Sequence, residues 1–149
     1  FMEYGDQNIP NILKYSEHSN SDSMLNTPPT FAWYLAGKVF QWIKDSGGLD
    51  YFSIQNHKKA NALYKFIDES SFYSNNIDLK NRSIMNITFF LANNDLDKTF
   101  LLNAEENGLL NLKGHRSVGG MRASIYNAMP FEGVEELIKF MDYFESKYG

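Results

Sequence analysis

Between Thr30 and Lys44 the apolar residues recur at helical spacing. Phe31, Leu35, Val39 and Ile43 form one stripe, with Ala32, Ala36 and Phe40 beside it. Lys38, Gln41 and Asp45 leave only a narrow wet side, so this helix is expected to be packed over most of its surface. Asn26-Thr27-Pro28-Pro29 precedes it. Thr27 is a candidate N-cap, and proline suits the first helical turn. Gly47-Gly48 stops the helix, and a second is predicted from Leu49 to Ser70. Leu49, Phe52, Ala60, Leu63, Phe66 and Ile67 face inward on that reading, and Gln55, Asn56, His57, Lys58 and Lys59 face water.

After a polar connector, Ser71 to Arg82, the period changes. From Ser83 to Leu91 the side chains of Met85, Ile87, Phe89 and Leu91 alternate with Asn86 and Thr88, which predicts a strand with one apolar face. Asn93-Asn94-Asp95 opens a helix with Leu96, Phe100, Leu101 and Ala104 inward and Gly108 as its stop. Leu109 to Lys113 and Met121 to Asn127 read as short strands on either side of a glycine-rich loop. Pro130 begins the last helix. Glu132, Glu135 and Glu136 favour the positive end of its dipole, and Val134, Leu137, Ile138, Met141 and Phe144 point inward. Residues 1–25 read as a loop or a linker arriving from a preceding domain, with a turn at Asn8-Ile9-Pro10-Asn11, a polar run from Ser16 to Ser23 and an exposed His18. Residues 26–149 carry the domain. The fold class is α+β: a small, mostly antiparallel sheet covered by helices.

Composition narrows the function. The 149 residues suit one domain or part of a larger protein, and a start at Phe1 is expected of an internal fragment or of a trimmed chain. Twelve Phe and nine Tyr call for a core rich in rings. A net charge of −4 argues against general nucleic-acid binding. With no cysteine, disulfides, thiolate zinc sites and a cysteine nucleophile are excluded, and a reducing cytoplasm is compatible. No His cluster suggests a metal. No apolar run reaches the roughly twenty residues of a membrane span, and no signal-peptide pattern is read.

Charge is also unevenly placed. From Asn107 to Phe131 there is no acidic residue, yet Lys113, His115, Arg116 and Arg122 lie in that window. Cations without counter-ions around flexible glycines fit an anion pocket, since arginine offers a planar fork to carboxylate or phosphate. A solvated basic hairpin loop fits the same residues. The start of the first long helix, near Asn26 and Thr27, could likewise hold an anion or be simply capped. No paired carboxylates, Gly-x-Ser-x-Gly elbow or P-loop is present, and Lys113 reads as a solvated lysine.

Met24-Leu25-Asn26-Thr27-Pro28-Pro29-Thr30-Phe31 and the run from Gly114-His115-Arg116-Ser117-Val118-Gly119-Gly120 through Met121-Arg122-Ala123-Ser124-Ile125-Tyr126-Asn127-Ala128 closely resemble the phosphoserine aminotransferase family. Gly47-Gly48-Leu49, Ser71-Phe72-Tyr73 and the helix after Pro130 resemble it too. The likeness runs from about Asn8 to Gly149. It implies the C-terminal part, with the small domain, of a fold-type I enzyme that uses pyridoxal 5'-phosphate. The implied reaction moves an amino group between glutamate and 3-phosphohydroxypyruvate, giving phosphoserine and 2-oxoglutarate for serine biosynthesis. In bacteria the family also serves pyridoxine biosynthesis. The resemblance further implies a cytoplasmic homodimer in which Asn26 and Thr27 reach the cofactor phosphate of the partner subunit. Arg122 would hold the substrate α-carboxylate, and His115 and Arg116 the substrate phosphate. The family's Schiff-base lysine, which follows a Gln, has no counterpart among the lysines here, so the chain alone is expected to be inactive. Two rivals are a stand-alone binding module for a phosphorylated amino acid and a dimerisation domain whose glycine loop is only a tight turn.

Overall fold

The computed structural model describes residues 8–149; the first seven residues of the expected linker lie outside them. The chain divides into two compact units, meeting at Ser46 and Gly47.

In the first unit a 3-10 turn, Asn11–Leu13, precedes a short helix α1, Tyr15–Asn20. The polar run expected to be loop is therefore partly helical. It contains no proline or glycine to stop a turn, and Glu17 sits at the favourable end of the dipole. Asp22 and Ser23 then take left-handed φ values of 48° and 62° and turn the chain out. His18, expected to be exposed, is half-buried, and its Nε2 lies 2.7 Å from the Ile12 carbonyl oxygen. Helix α2 spans Thr30–Asp45. Its N-cap is Pro29, without a side-chain cap, so Thr27 does not cap it and both prolines stand before the first turn. None of its residues is buried. Phe31 is 73% exposed and Phe40 68%, so the surface expected to be packed is exposed.

The second unit contains helix α3 (Gly48–Glu69), strands β1 (Tyr73–Ser74) and β2 (Asn86–Leu91), helix α4 (Asp97–Glu106), strand β3 (Met121–Ser124) and helix α5 (Phe131–Tyr148). The sheet order is β1-β2-β3, antiparallel throughout. Tyr73 pairs with Leu91, Asn86 with Ser124 and Thr88 with Arg122. The α+β class expected from the period changes is the one observed. β1 lies inside the stretch read as connector; two residues are too few to show a period. Ile87, Phe89 and Leu91 point into the core from β2, and Met121 and Ala123 from β3. α3 and α5 pack on each other, and α3 also meets β1 and β2. Phe100 is the hub of the core. Its ring lies 5.0 Å from that of Phe144, 5.1 Å from Phe140 and 5.9 Å from Phe89, in edge-on geometries that suit the ring quadrupoles.

Two corrections concern α3. Leu49, placed inward by spacing, is 78% exposed, because the helix starts there and has not yet reached the sheet. Asn56 and Lys59, placed outward by their polarity, are each only 2% exposed.

Candidate functional site

The basic loop is tied at its neck. The Gly114 N–H donates to the Gly120 carbonyl at 2.9 Å, and the Arg122 N–H donates to that of Leu112 at 2.7 Å. Inside the loop the His115 carbonyl accepts from the N–H groups of both Val118 and Gly119, at 2.9 and 2.8 Å. Gly119 and Gly120 provide the left-handed turn that closes it, with φ of 80° and 60°. The strand expected over Leu109–Lys113 reduces to a single bridge from Lys113 to Met121. Asn111, at φ 62°, breaks the extended path.

On this loop His115 and Arg116 are exposed. The Nδ1 of His115 lies 2.7 Å from Ser117 Oγ and 3.3 Å from the Ser117 amide. An amide can only donate, so Nδ1 is the acceptor and the neutral ring carries its proton on Nε2. Arg122 is mounted on β3, opposite Thr88 and on the sheet face away from Met121 and Ala123. It is half-buried, and its Nε is buried without a hydrogen-bond partner. Among the described residues neither Arg116 nor Arg122 has a carboxylate partner. A buried guanidinium nitrogen carries a desolvation cost until an acceptor reaches it. The second unit thus brings His115, Arg116 and Arg122 onto one short stretch of backbone as donors with no internal acceptor.

Asn26 and Thr27 lie in the first unit. Both are exposed, and neither makes a hydrogen bond within the described residues. They stand just before α2, a helix of 16 residues whose first N–H groups have no partner in the helix itself. Free hydroxyl, amide and backbone donors at the positive end of a helix dipole suit a phosphate group.

The sequence reading missed Lys59. Its Nζ donates to the carbonyl oxygens of Ile125 (3.2 Å), Tyr126 (2.7 Å) and Met129 (3.0 Å). Burial pushes its pKa below the ordinary lysine value, while three carbonyl dipoles hold the proton in place. Next to it, Asn56 Nδ2 donates to Asn127 Oδ1 at 2.8 Å. A signal was available: Phe52, Asn56, Lys59, Ala60 and Leu63 share one helical stripe, and position rather than polarity would have placed all of them inside. Lys113, by contrast, is exposed, as its strand position suggested. Among the described residues no group of His, Cys, Asp or Glu could hold a metal ion, and no helix is long and apolar enough to cross a membrane.

A family model described as aminotransferase class-V matches residues 2–137. The chain belongs to the class-V aminotransferases. Among its relatives, the phosphoserine aminotransferase of Acinetobacter baylyi is 56% identical over 148 residues, which cover 99% of this chain and 41% of that protein. The enzyme of the same name from Buchnera aphidicola subsp. Schizaphis graminum is 56% identical over 146 residues, covering 98% and 40%. Among solved structures, phosphoserine aminotransferase from Bacillus circulans subsp. alkalophilus superposes with a TM-score of 0.88 at 45% identity, over 97% of this chain and 40% of that one. The pyridoxal-phosphate-bound phosphoserine aminotransferase of Trichomonas vaginalis gives 0.82 at 39% identity, over 92% and 39%. This aminotransferase chain therefore spans about two fifths of the length of the relatives it matches.

Proposed function

We propose that this class-V aminotransferase chain works as the C-terminal part of a phosphoserine aminotransferase, with residues 1–25 as the link from the large domain. The full enzyme exchanges an amino group between glutamate and 3-phosphohydroxypyruvate, yielding phosphoserine and 2-oxoglutarate in the cytoplasm; in bacteria it also serves pyridoxine synthesis. The observation that carries this reading is the half-buried Arg122, its Nε without an acceptor among the described residues, on the strand that follows the loop bearing the exposed His115 and Arg116. A substrate with a carboxylate at one end and a phosphate at the other needs two such mounts. Arg122, on a stiff strand, takes the α-carboxylate by a bidentate grip. His115, through Nε2–H, and Arg116 take the phosphate from the loop. When bound, pyridoxal 5'-phosphate supplies the electron sink for the transfer. Asn26 and Thr27, uncommitted at the start of α2, grip its phosphate in the partner subunit of a homodimer.

The chain alone does not turn over on this reading. The lysine that carries the cofactor in this family follows a Gln, and no lysine of this chain does; the buried Lys59 in addition has its protons committed to carbonyls. The test compares the purified chain with the full-length protein, using glutamate and 3-phosphohydroxypyruvate. The chain alone gives no rate above buffer. The full-length protein turns over and loses at least about thirtyfold in kcat/KM on Arg122→Ala, as expected for removing one partner of a desolvated charge pair. Turnover by the isolated chain, or an unimpaired Arg122→Ala enzyme, sinks the proposal. A second reading, a binding module, draws on the fact that His115, Arg116 and Arg122 all belong to one compact unit. Calorimetric binding of phosphoserine to the lone chain, abolished by Arg122→Ala, together with an inactive full-length protein, would put that reading first.

A further inference from the structure

We infer that Lys59 is a positioning residue for the carboxylate site, clamping the backbone that follows β3 and so fixing where Arg122 stands; this rests on the reading of Arg122 given above. Lys59 is 2% exposed, and its three donors meet three carbonyls from one short segment, Ile125, Tyr126 and Met129. Asn56, on the same stripe of α3, holds Asn127 in the middle of that segment. The two side chains therefore pin the turn between β3 and α5 onto α3. Without them that turn has little backbone support: Ile125 donates to Met85 at 2.9 Å and Met129 to Tyr126 at 3.0 Å.

Burying an ammonium is unfavourable, and apolar residues of similar size serve cohesion as well or better. What the charge adds is direction, since each N–H must point at its own carbonyl. The segment so fixed begins at the residue after Ser124, the last of β3. Arg122 stands on that strand, with pairing to β2 on one side and one bridge to Lys113 on the other. A guanidinium must meet both oxygens of a carboxylate at once, and a misplacement of about 1 Å at such a group costs on the order of a hundredfold. Binding side chains held to about half an ångström need a supporting set of this kind.

The test uses the full-length enzyme with Lys59→Met, which keeps length and removes charge. Both substrates present an α-carboxylate, so KM is expected to rise about tenfold for glutamate and for 3-phosphohydroxypyruvate alike. kcat stays within about twofold, because the grip is made before chemistry as well as during it. A role in cohesion alone would lower the melting temperature and the fraction of active enzyme while leaving both KM values in place, and that result overturns the inference. If Lys59→Met does not fold, Asn127→Ala decides. It removes the Asn56 bond from the same turn and leaves the ammonium alone. A shared rise in both KM values of about threefold supports the clamp, and unchanged values overturn it. Arg122→Lys, measured alongside, separates the two layers of the argument. If it leaves both KM values unchanged, the carboxylate role of Arg122 fails. If it raises them while a folded Lys59→Met does not, only the clamp fails.

Discussion

Gly120 and Gly119 are neighbours with the same left-handed backbone and very different surroundings. A β-carbon on Gly120 would stand 2.6 Å from a ring carbon of Phe90 and 2.8 Å from the Phe89 carbonyl oxygen, whereas one on Gly119 would meet open space. Alanine at Gly119 should therefore cost only the left-handed penalty, about 1 kcal/mol. Alanine at Gly120 adds a collision with backbone and a ring, and should cost at least about 2 kcal/mol in total. Urea denaturation of the two variants checks the order; equal midpoints would mean that Phe90 yields freely. The same pair has a functional consequence. Phe90 and Arg122 share the sheet face away from the core, so a ring displaced by Gly120→Ala should disturb Arg122, the proposed carboxylate mount. Full-length Gly120→Ala should lose affinity for both substrates, and Gly119→Ala should affect mainly the phosphorylated one, through the loop that carries His115 and Arg116. KM values for the two substrates distinguish these outcomes.

At the level of elements, the connector between β1 and β2 is held to α3 by an ion pair. Arg82 donates to both carboxylate oxygens of Asp68, at 2.6 and 2.8 Å, and lies over the Tyr64 ring at 4.6 Å. The hydrogen bond from Arg82 keeps the Asp68 carboxyl below its ordinary value. A carboxyl whose folded pKa is depressed adds stability above its unfolded value, near 4, and loses it as pH falls through the folded value. Asp68 is partly exposed, so the gain is screened and amounts to about 1 kcal/mol or less. The wild-type chain should lose this increment below about pH 4. Asp68→Asn should start lower at neutral pH and lose less on acidification, which melting temperatures across the acid range will show. The elements were legible to different degrees. β2, α4 and α5 came through because long runs kept one period against a continuous core. β1 was too short to have a period, and Asn111 bent the expected strand, leaving it a single bridge at Lys113. Asn56 and Lys59 were misplaced because polarity was allowed to outvote position. The stripe of α3 marks Lys59 as inward, but the carbonyls that satisfy it come from residues some seventy places away and are not foreshadowed locally. For the candidate site, the acid-free window singled out His115, Arg116 and Arg122 as candidates, but Lys59 lies outside that window.

At the scale of the whole molecule, α2 presents an unusual surface. Phe31, Trp33, Tyr34, Leu35, Val39, Phe40 and Trp42 are all exposed. They follow one another around the helix rather than forming a single stripe, and a helix apolar on most sides belongs inside a larger protein. Its pattern led to the expectation of a packed helix, and among the described residues that packing is not found. Water is a poor partner for such a surface, and patches of this kind drive association when left bare. The isolated chain is therefore expected to self-associate, with a mass by light scattering that rises with concentration. The double variant Phe31→Glu/Phe40→Glu should move it toward monomer while leaving the helical signal of the second unit intact, since neither residue belongs to that unit. In the full-length protein the same double variant should instead disrupt assembly and activity, if the proposed assembly covers this surface. A chain that stays monomeric at high concentration would show that the α2 aromatics do not drive association. A full-length double variant that kept wild-type assembly and turnover would show that α2 is not part of the interface assigned to Asn26 and Thr27.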